Sequence, residues 1–299
     1  MKHLVTVTCN KERHLMVLQA ESISKFLEPC CHWVIINEKI TDIEAWEELL
    51  NPFYNKHELR IIPQQQLFEN KENVYGHFTQ QVCKLAIAKL VKDDYLILDS
   101  KNFFIKPSNI DEWDSYIGSG IIEFVNEPPD DCLDYQPYKN GNDKSWVDAI
   151  AQYKNMLDLK VTPLYFLKPE TPFKIEYEVL KNSNILDDIF YKLLFIDGRK
   201  INYGISEFIL YSFLAYDKID LGKNTIVDYN HIKNKHISCS PSSFDLFLDE
   251  DFSVDKLITM NARVKIFGFH RRFLKNCGPK QIKQINEYLK ILGFNFQYN

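Results

Sequence analysis

Several short stretches hold residue types at spacings that suit an anionic, hydroxyl-rich ligand. The segment 75–107 reads YGHFTQQVCKLAIAKLVKDDYLILDSKNFFIKP. Within it Gln81 and Lys84 stand three apart, which puts both on one face of a helix. Glutamine amides bind ribose or sugar hydroxyls, and lysine meets phosphate as a point charge. The bland alternative is the exposed polar face that most helices carry. An apolar run, 95–98, then ends in Asp99-Ser100-Lys101, an acid either poised at the end of a buried strand or capping a turn. Near the start, Thr8-Cys9-Asn10 closes another apolar run and is followed by Lys11, Glu12 and Arg13. Backbone amides and a hydroxyl there can contact a base, and Arg13 can approach a diphosphate; plain helix capping is the alternative. Later, VKIFGFHRR (264–272) carries Gly268, His270, Arg271 and Arg272 after an apolar strand pattern. Arginine there would give bidentate phosphate contacts, although a lone histidine is more often structural. Ser206-Glu207 opens an apolar helical pattern, as an N-cap and first-turn charge or as a functional acid.

These residues need elements to position them. Apolar runs at 4–8, 33–36, 60–62, 95–98 and 103–105 read as strands. Between them, 12–27 and 79–91 carry apolar residues at helical spacing; in the second, Val82, Leu85, Ala86 and Leu90 form a buried stripe that only Lys89 interrupts. Strands alternating with helices argue an α/β fold, a mostly parallel sheet flanked by helices. Ligands of such sheets sit beyond the carboxyl ends of the strands, where Thr8–Asn10, Asn37–Glu38 and Asp99–Asn102 fall. After Pro107 the pattern turns α+β. A proline-rich acidic stretch, 127–143, reads as a loop or lid, and helices are expected over 143–157, 206–215 and 279–292.

Composition narrows the classes. With 299 residues the chain suits one large α/β domain or roughly two smaller ones. A net charge of −5 disfavours a nucleic-acid binder that works by a basic surface. Seven cysteines with no C-x-x-C pair suggest buried thiols rather than disulfides or a zinc ribbon. There is no signal-peptide pattern and no transmembrane segment, so a cytoplasmic location is expected. No glycine-rich fingerprint supports a Rossmann site or a P-loop. A literal D-x-D, Asp249-Glu250-Asp251, reads as a solvated turn or helix cap, and His231 and His236 stay unassigned.

The helix, buried strand and acidic turn of 75–107 together resemble nucleotide-sugar glycosyltransferases of the GT-A fold, and in particular a bacterial and viral group with a Q-Q-x-x-K-L helix before the strand. The resemblance covers the first 107 residues in layout. It implies one continuous GT-A-like domain: residues 1–107 as the nucleotide-sugar-binding half, and 108–299 as an α+β acceptor-binding half packed against it. It also implies sugar transfer, of an inverting kind, from a nucleotide-diphosphate donor to an acceptor hydroxyl, with a UDP-sugar as the commonest donor and a glycan as the acceptor. Thr8, Asn10, Arg13, Gln81, Lys84, Lys101 and Arg271 would bind the donor. Glu207 would be the general base, and Asp99 would orient the donor sugar or a metal.

One departure matters. The D-x-D turn of such enzymes holds Mn²⁺ or Mg²⁺, but here Lys101 stands at the second acid. Either Lys101 supplies part of the missing charge, or Asp99 and His270 still hold a cation. The same substitution supports a rival reading, a glycosyltransferase-like binding protein without activity. A nucleotidyltransferase would need two or three metal-holding acids, against which Lys101 counts.

Overall fold

The computed structural model describes residues 2–39, 42–70, 76–113, 172–190, 265–269 and 271–298, the pairs 124–125, 165–166, 195–196 and 199–200, and positions 207, 210, 211 and 214. The expected loop 127–143, the helix 143–157, the acidic triplet at 249–251 and residues 203–206, His231, His236 and His270 lie outside the described residues.

The strands are β1 (His3–Thr8), β2 (Cys31–Ile36), β3 (Glu58–Pro63), β4 (Tyr95–Ile97), β5 (Asn102–Phe104), β6 (Phe124–Val125), β7 (Tyr165–Phe166), β8 (Phe173–Ile175), β9 (Phe195–Ile196), β10 (Arg199–Lys200) and β11 (Ile266–Gly268). The helices are α1 (Arg13–Phe26), α2 (Ile43–Leu50), α3 (His77–Ala86), α4 (Ala88–Val91), α5 (Tyr177–Asn182), α6 (Arg271–Asn276) and α7 (Pro279–Ile291).

Five strands form the central sheet in the order β3-β2-β1-β4-β8. The first four are parallel; β8 is antiparallel to β4. This is the mostly parallel sheet flanked by helices that the sequence pattern implied. β1 is the pivot. The chain runs outward through β2 and β3, then returns to place β4 on the other side of β1. Strand order therefore reverses between β1 and β4, and the carboxyl ends of strands at such a reversal are where open α/β sheets bind ligands. Thr8 ends β1, and Asp99 lies just past β4.

Alternation along each strand serves two cores. Val5, Val7, Cys31, Trp33 and Ile35 face α3 and α5, whereas Leu4, Val34 and Ile36 face α1 and α2. A third cluster packs Leu15 and Leu18 of α1 against the antiparallel pair β5–β11 and against Ile285, Tyr288 and Leu289 of α7. Its aromatic rings meet edge-on, as Phe103 does with Phe267 and Phe294.

The pairings correct several sequence-based boundaries. β1, β2 and β3 begin earlier than their apolar runs, at His3, Cys31 and Glu58, because ladder hydrogen bonding rather than apolarity sets their length. Pro63 ends β3 inside the ladder, which an edge strand tolerates. Helix α2 was not anticipated; the Asp42 side chain caps it by accepting from the Ala45 amide at 3.0 Å. The expected helix over 79–91 starts earlier, at His77, and breaks at Ile87 before α4. That break takes Leu90 off the buried stripe to 40% exposure and buries Val91 in its place. α7 matches its expected span to within one residue.

Among the described cysteines, Cys30, Cys31 and Cys83 are buried and none is in a disulfide. Burial pushes the Cys30 thiol up to about 12, so it is an inert thiol. No helix among the described residues is long and apolar enough to cross a membrane.

Candidate functional site

The carboxyl end of β4 carries a compact charge cluster. Lys84 reaches it from α3, and its Nζ lies 2.8 Å from Asp99 Oδ1 and 2.7 Å from Glu207 Oε1. Lys101 Nζ stands 3.4 Å from the other oxygen, Asp99 Oδ2. The side chains of Lys84 and Glu207 are 6% and 4% exposed, against 20% for Asp99 and 29% for Lys101. The cluster is thus two carboxylates and two ammonium groups, closed on the protein side and open toward the turn. Sequence spacing brought Gln81 and Lys84 to one helix face, and that face is buried rather than solvated.

Electrostatics favour the charged forms of Lys84 and Asp99. Burial alone would lower the Lys84 pKa, but Asp99 and Glu207 override it, and the ammonium is held above its ordinary value. Burial alone would raise the Asp99 pKa, but Lys84 and Lys101 prevail and hold it well below the usual carboxylate range.

Local structure explains the placement. Tyr95 of β4 donates its hydroxyl to the Lys84 carbonyl at 2.7 Å, fixing the turn of α3 that carries the lysine. The Asp99–Asn102 turn closes with the Asn102 amide on the Asp99 carbonyl at 2.9 Å. Ser100 Oγ, inside that turn, donates to Glu12 Oε2 at 2.7 Å, which ties the turn to the start of α1. Lys101 also lends its carbonyl to the Phe269 amide at 3.1 Å, bringing β11 and the start of α6 alongside. At Gly268 a Cβ would stand 2.5 Å from Asn102 Oδ1 and 3.0 Å from the Lys101 carbonyl oxygen, so glycine permits this close approach.

The other candidates are placed as follows. Gln81 Nε2 lies 2.8 Å from His77 Nε2, and Gln81 Oε1 is buried without a partner. His77, one helical turn before Gln81, feels the charges of Glu207, Lys84, Asp99 and Lys101, although burial is the main cause of its lowered pKa. Sequence reasoning missed His77; its i, i+4, i+7 spacing with Gln81 and Lys84 was the available signal. Thr8 Oγ1 is buried and unpartnered at the end of β1. Arg271, at the start of α6, lies close enough to lower the pKa of His14, where burial is the larger cause.

Two further expected donor residues have protein partners of their own. The Arg13 guanidinium lies over the Trp46 ring, 5.1 Å from its centroid, on the α1–α2 side of the sheet. Asn10 is tied to Glu38 through its backbone amide at 2.8 Å and through its side-chain amide.

Among the described residues, the groups around Asp99 do not fit a divalent cation. Both Asp99 oxygens face ammonium groups, and a hard dication there would sit beside Lys84. No group of three histidine, cysteine, aspartate or glutamate side chains among the described residues could hold a metal. Asp99 therefore acts as an ion-pair partner in this arrangement rather than as a ready ligand.

Comparison with known proteins follows from this geometry. A profile described as a family of unknown function (DUF6492) matches residues 8–124. No curated protein matches the chain in sequence. Among solved structures, the chain is similar to the bifunctional glycosyltransferase WbbM in its apo form, at 11% identity and a TM-score of 0.45, over 90% of this chain and 45% of that one. It thus spans less than half the length of WbbM. It is also similar to mouse xyloside xylosyltransferase 1, at 11% identity and a TM-score of 0.43, over 91% and 98% of the two chains. A third is the galactosyltransferase LgtC, in complex with donor and acceptor sugar analogs, at 12% identity and a TM-score of 0.42, over 94% and 99%.

Proposed function

We propose that this chain transfers a sugar from a nucleotide-diphosphate donor, with UDP as the nucleotide, to the hydroxyl of a glycan or similar acceptor. The observation that carries the reading is the Lys84 ammonium, bridging Asp99 and Glu207 beyond the carboxyl end of β4, next to β1 in the sheet. Residues 1–107 hold the donor, with Thr8 and Gln81 as polar contacts, and later residues shape the acceptor side.

In an inverting displacement the acceptor oxygen bonds to C1 of the donor sugar as its proton passes to the Glu207 carboxylate. The bond from C1 to the diphosphate oxygen breaks, and its electron pair leaves with the diphosphate. Lys101 and Arg271 meet the charge that develops there, the part a metal ion commonly fills. Lys84 fixes Glu207 and Asp99 in direction and favours the ionised form of Asp99, and Asp99 orients the donor sugar by accepting from a hydroxyl.

Calorimetric titration with UDP and GDP, each with Mn²⁺ and with EDTA, tests the reading. UDP binding that survives EDTA, together with inverted product from a UDP-sugar, supports it. Binding that requires Mn²⁺ would overturn the role given to Lys101 and Arg271. A second reading, a binding protein without transfer activity, is favoured by the saturation of Asp99 with two cations; it predicts no nucleotide binding and indifference to loss of Glu207.

A further inference from the structure

A second set of polar groups lies wholly inside the core on the α1–α2 side of the sheet. Gln19 of α1, Thr6 of β1 and His32 of β2 are each 0% exposed, and Tyr54 is 8% exposed. Gln19 Nε2 donates to two carbonyls, those of Asp99 and Asn102, both at 2.8 Å. These are the first and last residues of the turn that presents Asp99 and Lys101. Thr6 Oγ1 lies 2.9 Å from Gln19 Oε1, His32 Nε2 lies 3.0 Å from Thr6 Oγ1, and Tyr54 Oη lies 2.6 Å from His32 Nδ1.

The direction of every proton in this series follows from its end. Carbonyl oxygens only accept, so the two contacts of Gln19 Nε2 use both amide hydrogens. Gln19 Oε1 is then left to accept, and the Thr6 hydroxyl hydrogen goes to it. Thr6 has no second hydrogen, so its oxygen accepts from His32 Nε2–H. His32 Nδ1 is then the bare nitrogen and accepts from the Tyr54 hydroxyl. Any reversed link sets two lone pairs against each other in a dry interior, which is costly. A protonated imidazole would reverse the last link, donating from Nδ1 to the Tyr54 oxygen, but burial, with His57 nearby, lowers the His32 pKa to about 3 and favours the neutral ring.

We propose that Gln19, Thr6, His32 and Tyr54 are positioning residues, forming a one-way hydrogen-bond chain that fixes the Asp99–Asn102 turn, with His32 carrying its proton on Nε2. The chain runs from the end of α2, under β2 and β1, to the turn beyond β4. Its members are buried in the core. It acts through the two carbonyls that bracket the turn, and its effect on nucleotide affinity rests on the function proposed above, whereas its effect on the turn does not.

Nitrogen NMR of the full-length protein, labelled at histidine and at residues 99–102, is the test. The His32 ring should show a protonated Nε2 and a bare Nδ1 from pH 5 to 9. A protonated Nδ1, or a titration of the ring in that range, would overturn the proposal. Thr6→Val removes both the donor to Gln19 and the acceptor for His32, while Thr6→Ser keeps them. Thr6→Val should shift the amide signals of Ser100, Lys101 and Asn102 and weaken UDP binding about tenfold at a temperature where it is fully folded, and Thr6→Ser should restore both. Unmoved turn signals in folded Thr6→Val would overturn the positioning role. Wild-type protein that binds no UDP, yet shows the His32 signature and the turn shifts, would sink the functional reading and leave the chain standing.

Discussion

Lys84 and Glu207 lie 123 residues apart in sequence, yet their charged atoms meet at 2.7 Å with both side chains almost fully enclosed. Enclosed charges of this kind are stable only as a set. Lys84→Met leaves two carboxylates without their shared partner and should destabilise the fold by about 3–5 kcal/mol. Denaturant unfolding measures this. Adding Glu207→Gln to Lys84→Met should recover part of the loss, since the two sites are coupled.

Acid stability should depend on Asp99. Its folded-state pKa is depressed, burial being outweighed by Lys84 and Lys101. A depressed carboxylate contributes stability above its unfolded value, about 3.9, and loses it as pH falls through the folded value. Lys84 is raised, so its contribution is full below its unfolded value, about 10.4, and disappears as pH rises through the folded one. Asp99→Asn should therefore flatten the acid limb of a stability–pH curve below pH 4. An unchanged acid limb would mean that other carboxylates govern it.

Gly268→Ala should be disruptive out of proportion to one methyl group. The added Cβ meets the Asn102 side chain and the Lys101 carbonyl, and backbone cannot step aside as a flexible side chain can. A loss of about 1–3 kcal/mol in unfolding free energy is expected, with a shift in the amide signals of residues 99–102.

Lys101→Asp converts the turn to an acidic pair. UDP binding by the wild type should be indifferent to EDTA, whereas the variant should bind more weakly without metal and gain from Mn²⁺. Calorimetry of the two proteins, with and without EDTA, decides it. Equal Mn²⁺ dependence in both would place the cation elsewhere.

Much of the fold follows from local patterns that the sequence displays openly. β1, β4 and α7 have uninterrupted apolar periodicity, and their expected spans stand within a residue or two. β2 was read short because Cys31 and His32 interrupt the apolar pattern, although both are fully buried. His32 belongs there for its partners, Thr6 and Tyr54, and no local pattern reveals partners. Gln19 is hidden the same way: it looks like a polar position on α1, and its function depends on two carbonyls more than 79 residues away. The Lys84–Asp99 contact was half legible, since Lys84 was singled out for donor binding and Asp99 for orienting a sugar or a metal, but their mutual ion pair was not foreseen. The ring partner of Arg13, Trp46, was not legible, because it lies on a helix that no sequence pattern announced.

The later chain also returns to the early chain at several points. β8 extends the sheet from β4, β11 pairs with β5, α7 packs beside α1, and Glu207 completes the charge cluster around Lys84. A truncation after residue 107 would expose two unpaired strand edges and strand a buried lysine beside a single acid. The two halves are therefore not interchangeable parts. Chimeras that graft a foreign C-terminal segment onto this sheet would need to supply an edge strand and an acid in register, so exchanging loops disturbs the fold less than swapping segments.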